Sequence, residues 1–364
     1  MRTRTCRVLL VGKGAPDRGG IPVFLDTLLR SELAERHDLT FLNVAHAETP
    51  EGGRLTVGNL RRTARDTLAG WRTARRVDVV HLHSALAPAV TVLRAALMAA
   101  AGRLAGARVV VHAHGGNLGT WLSAPWRRAL LRLAMAPADR VVAVWTAGEQ
   151  ALRSALGADK VRLVDNGVRV EDFPPGPRDH AVPRVLYVGL LTPRKGLLDL
   201  VEASRLLRAR GVDHELCLVG GTPDEGPAAE APVRDAAAGV ARLLGTRERD
   251  EMPAVYADAD VFCLPSWWEA MPLSVLEAMA SGLPVVATDV GDVSRAVQHG
   301  ATGFVVPPRS GAALADALEP LLRDAALRRR MGAAGRDRVR AHFSSTTTAR
   351  GLSDVFGELV GSGS

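Results

Sequence analysis

The chain predicts an α/β fold of two doubly wound domains. Three observations carry that prediction. Short apolar runs suited to buried parallel strands alternate with helical stretches from one end to the other. A proline-rich segment, residues 172–183 with Phe173-Pro174-Pro175-Gly176-Pro177 and Pro183, cuts that alternation near its middle and can continue neither helix nor strand. The length, 364 residues, supplies two ordinary domains with full hydrophobic cores.

In order, the strand-like runs of the first half are residues 7–11, 77–82, 108–112, 140–144 and 161–164. Those of the second half are 184–188, 215–219, 261–264, 284–287 and 303–306. Residues 85–101 are rich in Ala, Leu and Val, but Arg94 stands in their middle. They read as a buried helix, because a membrane span needs about 20 apolar residues with few charges. After Ser344 the pattern Leu352, Val355, Phe356, Leu359 predicts a last amphipathic helix, with residues 361–364 frayed.

Composition narrows the function classes. Cys6, Cys217 and Cys263 lie in or beside apolar runs and read as buried thiols of a reducing compartment. The apolar run after the basic N-terminus is too short for a signal peptide, so the expected location is the cytoplasm. Residues 1–170 hold 25 Lys and Arg against 13 Asp and Glu, whereas the remainder hold 21 against 26. That asymmetry predicts an anionic partner for the first half, such as a membrane surface at the inner face of the membrane. Nucleic acid is not expected, since no recognition motif or aromatic platform accompanies the charge.

Residues 264–291 are the most informative stretch. Glu269 and Glu277 are separated by seven residues, with Trp267 and Trp268 beside the first. Pro272 suits the first helical position, and Gly282 and Pro284 end the helix after Ser281. Ser274, Glu277 and Ser281 form one polar stripe on an otherwise apolar helix, facing either solvent or a cleft.

Three further constellations follow strand-like runs. Gly12 to Pro22 contains the pair Gly19-Gly20 before a helix expected to begin at Pro22. Such a turn allows close backbone approach to an oxyanion, or is an ordinary strand-to-helix connection. His112 and His114, in the run 109–116, point to one side of a strand near its carboxyl end, where α/β proteins bind ligands. No third metal ligand is placed near them by spacing, which leaves hydrogen-bonded histidines or a ligand-facing role. His81 and His83 form a similar pair and read as cleft lining. Gly189 to Gly196 carries Arg194 and Lys195. Asp258 and Asp260, between helix and strand, read as structural, so no metal site is expected. Trp121 and Trp126 with Arg127, Arg128 and Arg132 suggest either a membrane-touching basic helix or packed tryptophans.

The Glu-x7-Glu spacing followed by Ala278-Met279-Ala280-Ser281-Gly282-Leu283-Pro284 resembles the signature of family 4 of the retaining glycosyltransferases. That resemblance implies the GT-B architecture, two Rossmann-like domains facing across a cleft. It divides the chain into an acceptor domain 1–172, a linker 173–183, a nucleotide-sugar domain 184–343 and a helix 344–364 returning to the first domain. It implies that Glu277 binds the donor ribose and that Glu269 lies near the donor sugar. It also implies that backbone amides from Met271 through Leu273 and Ser274 meet the diphosphate. Gly19 and Gly20 match a loop that folds over the diphosphate or toward the acceptor. His114 matches a histidine beside the donor sugar. Lys195 matches the lysine that binds the leaving diphosphate. The family arginine falls at Leu190, so Arg194 either replaces that charge or is a solvated surface group.

The expected activity is transfer of a hexose-type sugar from a UDP- or GDP-sugar to a hydroxyl of an envelope or exopolysaccharide precursor, lipid-linked, with retention and without a metal or other cofactor. A small-molecule natural-product acceptor and a non-catalytic nucleotide-sugar binder are the alternatives.

Overall fold

The computed structural model describes residues 5–45, 56–115, 118–177, 180–222 and 226–361. Gly116 and residues 362–364, which the sequence reading included, lie outside that set. The chain divides into two compact units: residues 1–166 with 345–364, and residues 167–344.

The first unit contains strands β1 (Arg7–Gly12), β2 (Asp38–Asn43), β3 (Val79–Ser84), β4 (Arg108–Ala113), β5 (Arg140–Ala143) and β6 (Val161–Leu163). They form one parallel sheet in the order β2-β1-β3-β4-β5-β6. The central strands are Val- and Leu-rich and buried, as expected where helices cover both faces. The second unit contains β7 (Arg184–Val188), β8 (Glu215–Val219), β9 (Arg242–Gly245), β10 (Val261–Leu264), β11 (Val285–Thr288) and β12 (Gly303–Val306). Its parallel sheet runs β12-β11-β10-β7-β8-β9.

Both sheets wind outward in two directions from their first strand. The order reverses between β1 and β3 in one unit and between β7 and β10 in the other. At such a switch point the loops leaving adjacent strands diverge and open a crevice at the carboxyl ends. The Gly19-Gly20 turn follows β1 and His83 lies one residue before the end of β3. Lys195 follows β7 and Glu269 follows β10.

Several expectations are corrected. Strands β2 and β9 are absent from the sequence reading; each is a partly exposed edge strand with a weak apolar pattern. The first helix begins at Gly20 instead of Pro22, which falls within its first turn. The helix Ala89–Leu104 is not buried all round: Leu93, Leu97 and Leu104 are exposed on one side. Arg94 is held there by Asp66 at 2.8 Å, so the charge marks a helix–helix pair.

The linker expected at 173–183 begins later than the change of unit. Val168 pairs with Ser344, and the Arg336 guanidinium donates to the carbonyls of Val170 and Phe173. Those bonds tie residues 168–173 to the second unit. The final helix, Ser345–Gly361, buries Leu352, Val355, Phe356 and Leu359 and belongs to the first unit. There His37 meets Ser353 at 2.9 Å and stacks edge-on against Phe356. All three cysteines are buried free thiols. Among the described residues no helix is long and apolar enough to cross a membrane.

Candidate functional site

In the second unit, the chain leaving β7 makes a one-turn helix, Pro193–Lys195, ended by Gly196 in the left-handed conformation (φ 69°). A side chain at Gly196 would collide with the Pro265 carbonyl, its Cβ only 1.8 Å away. The loop after β7 is therefore pressed onto the loop after β10. The Trp267 amide donates to the Arg194 carbonyl at 3.0 Å, and the Trp267 indole donates to Asp199 at 2.7 Å.

This clamp brings Lys195 Nζ to 2.5 Å from Glu269 Oε1. Ser266 Oγ donates to the same oxygen at 2.7 Å. Neither Lys195 nor Glu269 is fully exposed, so their attraction is less screened than at an open surface. The loop after β11 closes the other side: Gly291 has φ 57°, and its missing Cβ leaves room for the carbonyls of Glu269 and Ala270. Arg194 lies over the partly exposed Trp268 ring at 5.0 Å. Leu190 is half-buried, and its carbonyl accepts from the buried Tyr187 hydroxyl at 2.9 Å.

The helix predicted after Glu269 runs Leu273–Ala280, with Pro272 as its cap residue. No side chain caps it and no acidic residue stands in its first turn. Its start thus keeps the partial positive charge and N–H groups that favour an oxyanion. Met271 and Leu273 are buried and Ser274 half-buried at this end.

The polar stripe does not face solvent. Ser281 is fully buried, and Glu277 is only 9 % exposed. Burial pushes the Glu277 carboxyl up to about 7, although the Tyr256 hydroxyl donates to Oε2 at 2.8 Å. One oxygen is occupied by protein, leaving acceptor capacity on the other. Tyr256 is missing from the sequence reading. It lies 21 residues before Glu277, a separation no motif spacing marks. Asp258 and Asp260 are structural: they bind His180 and Arg184 at the opposite, amino-terminal end of β7 and β10.

In the first unit, Gly19 caps the helix Gly20–Leu29 at φ 122°, and both glycines are exposed with open space where a Cβ would stand. His114 follows β4; its amide donates to the Ser84 carbonyl at 2.9 Å. Gly115 lets the two strand ends approach, since a Cβ there would lie 2.3 Å from the Ala85 carbonyl.

His112 and His114 do not stand alone. The register pairs His83 with His112, so His81, His83, His112 and His114 share one face of the sheet. His83 Nδ1 lies 3.0 Å from His114 Nε2, and His81 Nε2 lies 3.1 Å from His112 Nδ1. Phe24 packs against three of these rings and Phe356 against His81. Burial pushes His81 and His114 down to about 3 and lowers His83 and His112 as well. The expectation that no third ligand stands near His112 and His114 is overturned. The pairing of β3 with β4, not the spacing within either strand, supplies it.

Trp126 is 58 % exposed, so it is not core packing. Arg127 lies between it and Trp121, 5.1 and 5.7 Å from the two rings. Arg128 and Arg132 are bound to the carbonyls of Leu122 and Ala155.

Comparison with known proteins decides the family. Residues 18–172 match the profile "Glycosyltransferase Family 4", and residues 182–324 match "Glycosyl transferases group 1". The chain is 35% identical over 278 residues to a GDP-mannose-dependent alpha-(1-6)-phosphatidylinositol monomannoside mannosyltransferase of Mycobacterium tuberculosis, covering 71% of this chain and 72% of that one. The chain belongs to glycosyltransferase family 4. This glycosyltransferase is also 31% identical over 306 residues to a phosphatidyl-myo-inositol mannosyltransferase of Mycobacterium leprae, covering 81% and 77% of the two chains. It is 34% identical to a D-inositol 3-phosphate glycosyltransferase of Salinispora tropica, but spans 52% of that protein.

Its fold is that of a sucrose-phosphate synthase from Thermosynechococcus elongatus, with a TM-score of 0.77, 22% identity and coverage of 98% and 99%. The HepE protein of Anabaena in complex with UDP and glucose matches with a TM-score of 0.75, 18% identity and coverage of 96% and 99%. The glycosyltransferase therefore has the two-domain GT-B fold expected from its sequence.

Proposed function

We propose that the protein transfers a hexose, with retention, from a UDP- or GDP-sugar to a hydroxyl of a lipid-linked glycan precursor. The observation that carries this reading is the Lys195–Glu269 pair beside an uncapped helix start, with Glu277 buried on the same helix. Lys195 and the amides of Leu273 and Ser274 would stabilise charge growing on the departing diphosphate. Arg194 would add charge where the family arginine is replaced by Leu190. Glu277 would accept the ribose hydroxyls in its ionised form. Glu269 would hold donor hydroxyls and release Lys195 toward the diphosphate when the donor arrives. In the first unit, His114 would face the donor sugar and the Gly19-Gly20 turn would approach the donor or acceptor.

In this mechanism the bond from the anomeric carbon to the diphosphate oxygen breaks. The acceptor oxygen bonds to the same face of the oxocarbenium-like sugar, and its proton passes to the departing phosphate oxygen. Charge on the leaving group is met by protein cations and dipoles, so no metal ion is assigned to this step.

The lipid acceptor is supported by exposed apolar residues on helices that pack side by side in the basic unit. They are Leu93 and Leu97 on Ala89–Leu104, and Trp126 and Leu133 on Pro125–Ala134. Such residues among arginines suit an anionic membrane surface, and two relatives carry names with phosphatidylinositol acceptors. A free inositol-phosphate-like acceptor is the second reading, favoured by the D-inositol 3-phosphate glycosyltransferase relative.

A thermal-shift series over UDP, GDP, ADP and their sugars tests the donor, because a ligand that binds the folded state raises the midpoint by mass action. The expected result is a shift with one uridine or guanosine series, lost in Glu277→Ala with the far-ultraviolet spectrum retained. No shift with any nucleotide, or an unchanged shift in Glu277→Ala, counts against the reading.

A further inference from the structure

The histidine ladder of the first unit has properties that hydrogen bonding alone leaves unfulfilled. One ring nitrogen from each of His81, His83 and His112 lies within 4.8 Å of the others. His81 and His112 are fully buried, and their far nitrogens, Nδ1 and Nε2 respectively, have no hydrogen-bond partner. Two neutral imidazoles that share one hydrogen bond leave an N–H on one far nitrogen and a lone pair on the other. His83 Nε2 is likewise unpartnered, because its Nδ1 is engaged by His114.

We propose that His81, His83 and His112 bind one divalent transition-metal ion of the zinc class, with His114 orienting His83 from behind. Imidazole nitrogens suit such ions, and three of them leave one tetrahedral position open. The ion would replace the hydrogen bond between His81 Nε2 and His112 Nδ1, whose 3.1 Å separation is close to the roughly 3.3 Å that two nitrogens span on a tetrahedral Zn²⁺, and would take the unpartnered Nε2 of His83 as its third ligand. Phe24 and Phe356 wall the ladder with apolar rings, whereas His83 and His114 are only half-buried at the carboxyl ends of the strands. Ion entry and the fourth ligand, a water or an anion, belong to that end. The His114–His83 contact is the hydrogen bond from a neighbour that commonly fixes the ring of a metal-binding histidine.

The test uses the full chain, stripped with a chelator and dialysed, and titrated with Co²⁺ and then Zn²⁺. The expected result is one equivalent of Co²⁺ with the intense visible absorption of a tetrahedral nitrogen site, bleached by Zn²⁺, and a raised melting midpoint. His83→Asn, at the half-exposed end, and His112→Gln should each lose the absorption and the midpoint shift while retaining the far-ultraviolet spectrum. His114→Ala keeps the three ligands and should bind about 10- to 100-fold more weakly. Should His112→Gln fail to fold, the His83→Asn result decides. Absence of stoichiometric binding, an octahedral Co²⁺ spectrum, or absorption unchanged in His83→Asn overturns the proposal.

Discussion

At the scale of single residues, Lys195 and Glu277 do opposite electrostatic work. Lys195 is held against Glu269, whose same oxygen also accepts from Ser266, so it is positioned before any donor arrives. Its removal should lower kcat by roughly 100- to 1,000-fold, the size of one lost oxyanion-stabilising contact. Donor affinity should change less. Transfer kinetics of Lys195→Ala check this, and a fall confined to KM would argue for simple donor binding. Glu277 is instead a buried carboxyl raised to about 7 by burial. A carboxylate accepts both ribose hydroxyls only when ionised, so wild-type donor affinity should improve as pH climbs through about 7. The ratio of wild-type to Glu277→Gln affinity for one nucleotide cancels the titration of the nucleotide's own phosphates. That ratio should rise across this range; a flat ratio would separate Glu277 from the ribose.

At the scale of elements, the loops after β7 and β10 depend on one left-handed residue. Gly196→Ala places a Cβ against the Pro265 carbonyl and should cost about 1–3 kcal/mol. Calorimetry on that variant should find the second unit's melting transition lowered and the first unit's unchanged; equal loss in both would contradict a local clamp. The helices of the first unit make a second prediction. Leu93→Ser with Leu97→Ser removes exposed apolar surface without touching the core, so folding should be kept and binding to anionic vesicles weakened. Binding should also fall with added salt. Vesicle sedimentation unchanged by both treatments would remove the membrane reading. These elements also mark what could be read beforehand. Central strands such as β4 and β10 carry continuous buried runs and are legible. The strands β2 and β9 do not, because none of their residues is fully buried and their apolar pattern is correspondingly weak. The helix from Leu273 and the positions of Glu269, Glu277 and Lys195 follow from local signals of proline, glycine and charge. The Tyr256 hydroxyl on Glu277 and the pairing of two histidine dipeptides across β3 and β4 do not. Both depend on strand neighbours and register, which a single sequence leaves unspecified.

At the scale of the whole molecule, the two units carry proton linkages of opposite sign. In the metal-free first unit, His81 and His114 are depressed from 6.5 to about 3 by burial. Above pH 6.5 the rings are neutral in both folded and unfolded chains and stability is unaffected. Below that value the unfolded chain takes up protons that the folded ladder resists, so stability falls continuously toward the folded value of about 3. Each such ring contributes a slope of at most about 1.4 kcal/mol per pH unit. In the second unit, Glu277 is raised from 4.5 to about 7. Its contribution is fully present below 4.5 and is lost as pH rises through about 7, because ionisation in the buried site is disfavoured. Acid therefore weakens the first unit while favouring protonated Glu277 in the second. Differential scanning calorimetry of the metal-free protein between about pH 7.5 and about pH 5 should find two transitions whose separation changes steadily with pH. A saturating nucleotide assigns the second-unit transition by raising it. Glu277→Gln should remove much of that transition's rise on acidification and leave the other transition's fall intact. Zn²⁺ should oppose the acid-induced fall of the first transition, since the ion and protons compete for the same nitrogens. Two transitions moving in parallel with pH would mean that neither buried cluster governs its unit's acid response.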